Sequence, residues 1–178
     1  MIEGERLYLR AIEPEDYILI HKWRIDSVVS KKLGGNNFSI SLERDKLWTE
    51  NKSVDDTKGI YWMIGKLNDN KIIGYCSMIN IDLRNLKAEL GGIVIGEKDE
   101  WGKGYGKEAV KIMLKYFFDN YPINKCFTYC LEENTPSIKI WQSLNFVQDG
   151  LLREDVYKDG EFKNVLLFSI LRREINDK

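Results

Sequence analysis

The sequence predicts an α/β (α+β) fold: a mixed, mostly antiparallel twisted sheet flanked by helices, with one parallel strand pair near its centre. Three observations predict it. Two apolar runs, Ile60 to Leu67 and Lys71 to Ile79, are joined by Asn68-Asp69-Asn70, residues that accept turn conformations at little cost, and a third runs from Ala88 to Ile95. A glycine loop and an amphipathic helix follow the third run and lead to another strand, Lys125 to Leu131; such a crossover makes the two strands parallel. The chain closes on two strand-like runs around Asp159-Gly160, the mark of a hairpin.

Each element has a local cause. Leu7, Leu9 and Ala11 alternate with Tyr8 and Arg10 as in a half-buried strand, and Pro14 fits the first turn of a helix running to about Arg24. Ser41 caps a second helix that reaches Asn51 and carries Leu42, Leu47 and Trp48. Between them, Lys31-Lys32-Leu33-Gly34-Gly35-Asn36-Asn37 is a polar loop of the kind in which specificity resides. Ala109, Ile112, Met113, Tyr116 and Phe117 recur at helical spacing as a stripe that packs on the sheet, and Pro122 ends that helix. Asn134 caps a helix from Thr135 to Leu144; Val147 to Val156 and Phe162 to Ile170 form the terminal hairpin. No repeat, low-complexity tract or linker divides the chain, so residues 1–178 read as one domain.

Composition narrows the function. Charged residues are 31% of the chain but nearly cancel, to a net charge of −1, so no global field recruits nucleic acid or an anionic membrane. There is no apolar run of about 18 residues and no secretion signal, which points to the cytoplasm. Cys76, Cys126 and Cys130 lack CxxC spacing and read as buried small hydrophobes, not as a metal site or a disulfide framework. His21, the only histidine, sits among Ile18, Ile20, Lys22 and Trp23 and is assigned no catalytic role. No metal is expected.

The most informative segment is Glu100-Trp101-Gly102-Lys103-Gly104-Tyr105-Gly106-Lys107-Glu108-Ala109, where three glycines at alternate positions stand between strand and helix. Glycine lets the backbone approach a ligand, and the unpaired N–H groups at a helix start, with the helix dipole behind them, suit phosphate oxygens. A P-loop is excluded because Lys103 is followed by Gly104 instead of Ser or Thr; a dinucleotide fingerprint is excluded because the third glycine comes one residue early.

Read with its surroundings, this segment resembles the GNAT superfamily of acetyltransferases. Gly91-Gly92-Ile93-Val94-Ile95 matches the strand before the loop, Trp101 to Gly106 the family's pyrophosphate loop, and Glu133-Asn134-Thr135-Pro136-Ser137 with Trp141 to Phe146 the family's Glu-Asn run. Glu5-Arg6-Leu7-Tyr8-Leu9-Arg10-Ala11, then Asp16 and Trp23, looks like the RimJ/RimL branch, which includes spermidine acetyltransferases. The resemblance implies a GNAT-like sheet whose central parallel pair splays to hold acetyl-CoA. It also implies that the backbone amides of Trp101, Gly102, Lys103, Gly104, Tyr105, Gly106 and Lys107 take the diphosphate. Ile93, Val94 and Ile95 then pair with the pantetheine amides as with an added strand. Gly91-Gly92 inside a strand marks a bulge or close backbone approach, or two glycines tolerated at a sheet edge. Asn134 would bond the pantetheine or an ordered water, and is equally a good helix cap.

Transfer needs a neutral amine, yet an aliphatic amine with a pKa of about 10.4 is protonated at neutral pH, so a base or water chain must take its proton. Glu89, beside the glycine pair, is the first candidate, against the alternative of an exposed strand-end carboxylate; Asp26, Glu43 and Glu50 rank lower. Where many members carry a tyrosine acid, this chain has Trp141, whose indole donates a hydrogen bond but cannot deliver a proton. Tyr129, Ser137 or water stands in, and Trp141 is kept as a cofactor contact or a core residue. Asn145 replaces the family's glycine before Phe146 and tolerates the left-handed conformation.

The reading is direct N-acetylation of a primary amine. Glu43, Asp45, Glu50, Asp55 and Asp56 suit a small cation such as a polyamine. A protein N-terminus, an aminoglycoside and an amino-sugar nucleotide are alternatives, and a non-catalytic acyl-CoA-binding regulatory domain is the alternative of another class. Aromatic residues near Tyr61-Trp62 or on the terminal hairpin offer a surface for a homodimer.

Overall fold

The computed structural model describes residues 1–31, 39–54 and 59–175. Eight strands form one sheet: β1 (Ile2–Glu3), β2 (Leu7–Ala11), β3 (Gly59–Lys66), β4 (Ile72–Asp82), β5 (Lys87–Ile95), β6 (Lys125–Leu131), β7 (Val147–Lys158) and β8 (Glu161–Leu171). Their order across the sheet is β1-β2-β3-β4-β5-β6-β8-β7, and β5 with β6 is the parallel pair within an otherwise antiparallel array. The helices are α1 (Tyr17–Ile25), α2 (Ser27–Ser30), α3 (Leu42–Val54), α4 (Tyr105–Asn120) and α5 (Thr135–Ser143).

The two faces of the sheet bury different layers. On the inner face, Ile64, Ile73, Cys76, Leu90 and Cys126 pack with Ala109, Met113 and Phe117 of α4 and Trp141 of α5. On the outer face, Met63, Tyr75 and Val94 pack with Ile20 and Trp23 of α1, and Trp48 of α3 lies against them. The 3.6-residue stripe on α4 and the period of two in the strands are what allow one sheet to fill both layers.

The predicted α1 differs in detail. Pro14–Asp16 forms a 3-10 turn before α1, and the short α2 is an addition, capped by the Asp26 carboxylate, which accepts from the N–H groups of Val28 and Val29. Ser41 does cap α3, its hydroxyl accepting from Arg44 N at 3.2 Å. The loop expected to carry specificity falls mostly outside the described residues, as do Asp55 and Asp56. The proposed aromatic dimer surface is corrected in part: Trp62 is buried beneath α4, edge-on to Tyr116 and Phe117, and Tyr61 is half-covered by Trp48. Tyr157 and Phe162 on the hairpin are exposed.

Candidate active site

The site begins where β5 and β6 part. Their parallel pairing runs through Lys87–Lys125, Ala88–Cys126 and Glu89–Phe127 and then ends, although both strands continue, to Ile95 and Leu131. At the point of parting, Thr128 Oγ1 donates to the carbonyl of Leu90 at 3.0 Å, a side chain taking over where the ladder stops. Beyond it lies a wedge between two strand edges.

The β5 edge is shaped by a bulge. Cys76 pairs with Ile93 and Met78 with Leu90, so Gly91 and Gly92 together oppose Ser77 alone. A Cβ on Gly91 would lie 2.4 Å from Ser77 Oγ, which is why the chain has glycine there. The bulge reverses the alternation, so Val94 joins the outer layer while Ile93 and Ile95 pack against the inner one. Gly96 N donates to Ile73 O at 2.8 Å; in this antiparallel register Val94 therefore faces Tyr75 through its backbone, and the N–H and C=O of Ile93 and Ile95 point toward the wedge. The Ile95 carbonyl accepts from the Trp101 indole at 2.6 Å.

At the open end of the wedge the glycine loop caps α4. Gly102 and Gly104 have φ of 76° and 84°, left-handed values natural to glycine, and Gly104 is the N-cap. The first-turn N–H groups of α4 have no acceptor within the helix. Trp101 lends no amide to them, because its N–H closes a turn on Lys98 O. The loop is pinned from below by Glu100, whose carboxylate meets Lys103 at 2.8 Å and Lys66 at 3.0 Å; these two ammonium groups hold its carboxyl below the ordinary glutamate range. From the side, Arg6 Nη1 donates to Lys103 O, while Glu108 Oε1 accepts from the backbone N–H of Arg6 and of Leu7. Sequence reasoning missed this brace; an acidic residue in the first helical turn was the signal available.

The remaining predicted residues divide between the faces. Glu89 and Tyr129 project outward, Glu89 half-exposed and accepting from Asn80 Nδ2 at 2.6 Å, Tyr129 44% exposed and edge-on to Phe127. Ser137 and Trp141 belong to α5, which packs on the inner face, and Asn134 is its N-cap; Asn134 Oδ1 accepts from Ser137 N at 3.3 Å, so the capping role is realised. Trp141 is buried beside Phe146 and Cys130. Tyr129 and Ser137 thus do not meet. Asp26 pairs with Lys98 and caps α2, and Asp45 is fully buried between Arg24 (2.7 Å) and His21 Nδ1 (2.8 Å), so neither faces an acceptor. Glu43 is exposed and Glu50 half-buried. Among the described residues no cluster of three or more His, Cys, Asp or Glu side chains gathers as a metal site.

A splayed parallel pair with a glycine-capped helix at its mouth defines the class of acyl-CoA transferases to which the comparisons lead. Residues 6–147 match the acetyltransferase (GNAT) domain family, and the chain belongs to that family. It is an N-acetyltransferase, 36% identical over 96% of its length to the uncharacterised N-acetyltransferase p20 of Bacillus licheniformis, 95% of which is covered. It is 24% identical to the spermidine N(1)-acetyltransferase of Vibrio cholerae over 95% of each chain. The crystal structure of spermidine N-acetyltransferase from Vibrio cholerae with CoA and spermine shares the fold, with a TM-score of 0.85 at 22% identity, covering 97% of this chain and 99% of that one.

Proposed function

We propose that the protein moves an acetyl group from acetyl-CoA directly to a primary amine of a small cationic acceptor such as a polyamine, in a ternary complex. The observation that carries this reading is the wedge that opens after Glu89–Phe127 and ends at the glycine-capped start of α4. Its parts fit acetyl-CoA. The α4 N-terminus with Gly102 to Lys107 suits the diphosphate, the outward-turned backbone of Ile93 and Ile95, fixed by the pairing of Val94 with Tyr75 of β4, suits the two pantetheine amides, and Trp141 of α5 and its N-cap Asn134 stand on the cofactor side. Bound there, acetyl-CoA supplies the activated acyl group as a thioester.

The chain's own residues supply position and proton transfer. The acceptor enters from the outer face, where Glu89, steadied by Asn80, takes the ammonium proton directly or through water. Tyr129, an exposed residue on the same face, lines the same approach. Ser137 sits on the opposite side and serves the cofactor side of the wedge. Metal chemistry has no part in this reading. A cytoplasmic location, where acyl-CoA is available, accompanies it, as does a single catalytic unit spanning residues 1–178.

Thiol release from acetyl-CoA, measured with spermidine, an aminoglycoside, an amino-sugar nucleotide and a basic N-terminal peptide, tests the proposal. Spermidine is expected to drive release well above background. Release with another amine alone transfers the acceptor assignment to it. Silence from every amine, with acetyl-CoA still raising the melting temperature, removes the transfer reading in favour of a binding domain.

A further inference from the structure

The strand edge of β5 and the start of α4 suit two parts of one cofactor, and the Trp101 side chain ties the two elements together. Its indole Nε1 donates to the Ile95 carbonyl at 2.6 Å, closing residues 96–101 back onto the end of β5. Its ring packs against the outer layer that holds Val94 and Trp23. Only Gly102 and Lys103 separate it from the Gly104 N-cap of α4. The role lies in the side chain, since the Trp101 backbone N–H is spent on Lys98 O at 3.1 Å. Both ends of the tie are held. Gly96 N and Glu97 N donate to Ile73 O at 2.8 and 3.2 Å, and Trp23 lies so close against Gly96 that a Cβ there would come within 2.1 Å of its ring. On the loop side, Glu100 meets Lys66 and Lys103, and Arg6 reaches Lys103 O. A carbonyl has two lone pairs, so the indole leaves Ile95 O room for a second donor.

We propose that Trp101 is a positioning residue whose indole fixes the spacing between the diphosphate seat on α4 and the pantetheine edge of β5. This deepens the acetyl-transfer reading and rests on it. Diphosphate and pantetheine are parts of one molecule, so binding at one seat presents the other part at high effective concentration only when the seats stand at the separation the molecule spans. Without the indole bond, residues 96–101 lose their tie to Ile95 and the loop shifts relative to the strand edge. A displacement of about 1 Å is enough to cost about 10- to 100-fold.

Calorimetry of three ligands on the wild-type protein and on Trp101→Phe tests the spacing: CoA, its nucleotide half 3′-phosphoadenosine 5′-diphosphate, and its arm, pantetheine. Phenylalanine keeps a ring against the outer layer and lacks the N–H. Each half is expected to bind the two proteins alike, within about twofold, whereas CoA binds the variant about 10- to 100-fold more weakly. In turnover the KM for acetyl-CoA is expected to rise by a similar factor, with kcat at saturation kept within about twofold. An unchanged CoA affinity overturns the proposal alone. So does a half that loses as much as CoA, because Trp101 then serves one seat and not the spacing. Should Trp101→Phe fail to fold, nitrogen-15 spectra of the wild-type protein decide the matter: the Trp101 indole N–H is expected to exchange slowly with solvent, both free and with CoA bound. An indole that exchanges as fast as an exposed one in either state overturns the proposal. CoA that does not bind the wild-type protein overturns the acetyl-transfer reading with it.

Discussion

Gly104 shows how one residue sets up the mouth of the site. Its φ of 84° is left-handed, and a Cβ there would meet nothing nearer than Arg6 Nη2 at 3.5 Å, so the cost of a side chain is conformational. Gly104→Ala is expected to lose about 1–2 kcal/mol of stability, read in denaturant melts, and to weaken CoA binding by more than that loss explains, since the cap also aims the α4 amides. At Glu89 the expectation separates chemistry from folding: Glu89→Gln lowers kcat by about 10²–10⁴ while melting temperature and CoA affinity stay put. An unchanged kcat returns Glu89 to the rank of a strand-end carboxylate. The cysteines were legible from sequence as buried hydrophobes, and all three are buried. Burial pushes the Cys126 thiol up to about 12 and raises Cys76 and Cys130 as well. None is expected to react with a thiol reagent at about pH 8 in the native protein, and all three after unfolding.

At the scale of elements, the wedge depends on Thr128, the tether between β6 and Leu90. Thr128→Val keeps the shape and leaves a buried carbonyl without its donor, for an expected loss of about 1–3 kcal/mol, with a rise in the KM for acetyl-CoA as the strand ends drift. A variant as stable as wild type removes the tether from the account. Sequence patterns placed β2 to β8 and α3 to α5 within a few residues, because alternation and helical stripes are local signals. They missed α2, whose only local mark is the Asp26 cap, and β1, two residues long and held by β2. The bulge at Gly91-Gly92 was legible as one of two alternatives; which one held depended on the β4 register, where Ser77 leaves no room for a side chain.

Across the whole molecule, charges far apart in the chain meet at the glycine loop. Lys66 from β3 and Lys103 from the loop lower the Glu100 carboxyl pKa, so their pairing favours the folded state above the ordinary glutamate value and is lost as pH falls through the lower, folded value. The melting-temperature gap between wild type and Glu100→Gln is therefore expected to be full at about pH 7 and to close below about pH 4. A gap that persists in acid assigns the effect to packing. Asp45 illustrates the reverse: an acid that composition offered to a cationic substrate is enclosed by Arg24 and His21, residues 21 and 24 positions away.

By itself the sequence determined the elements other than β1 and α2, the crossover that makes β5 and β6 parallel, and the glycine loop with its helix, since all of these rest on periodicity and on backbone conformations encoded within a few residues. The tertiary structure alone decided where the strand pair opens, which backbone groups face the opening, which acids remain outward, and that Trp141 is buried against the inner face. Those are properties of register and burial, and they exist only once distant segments share a surface.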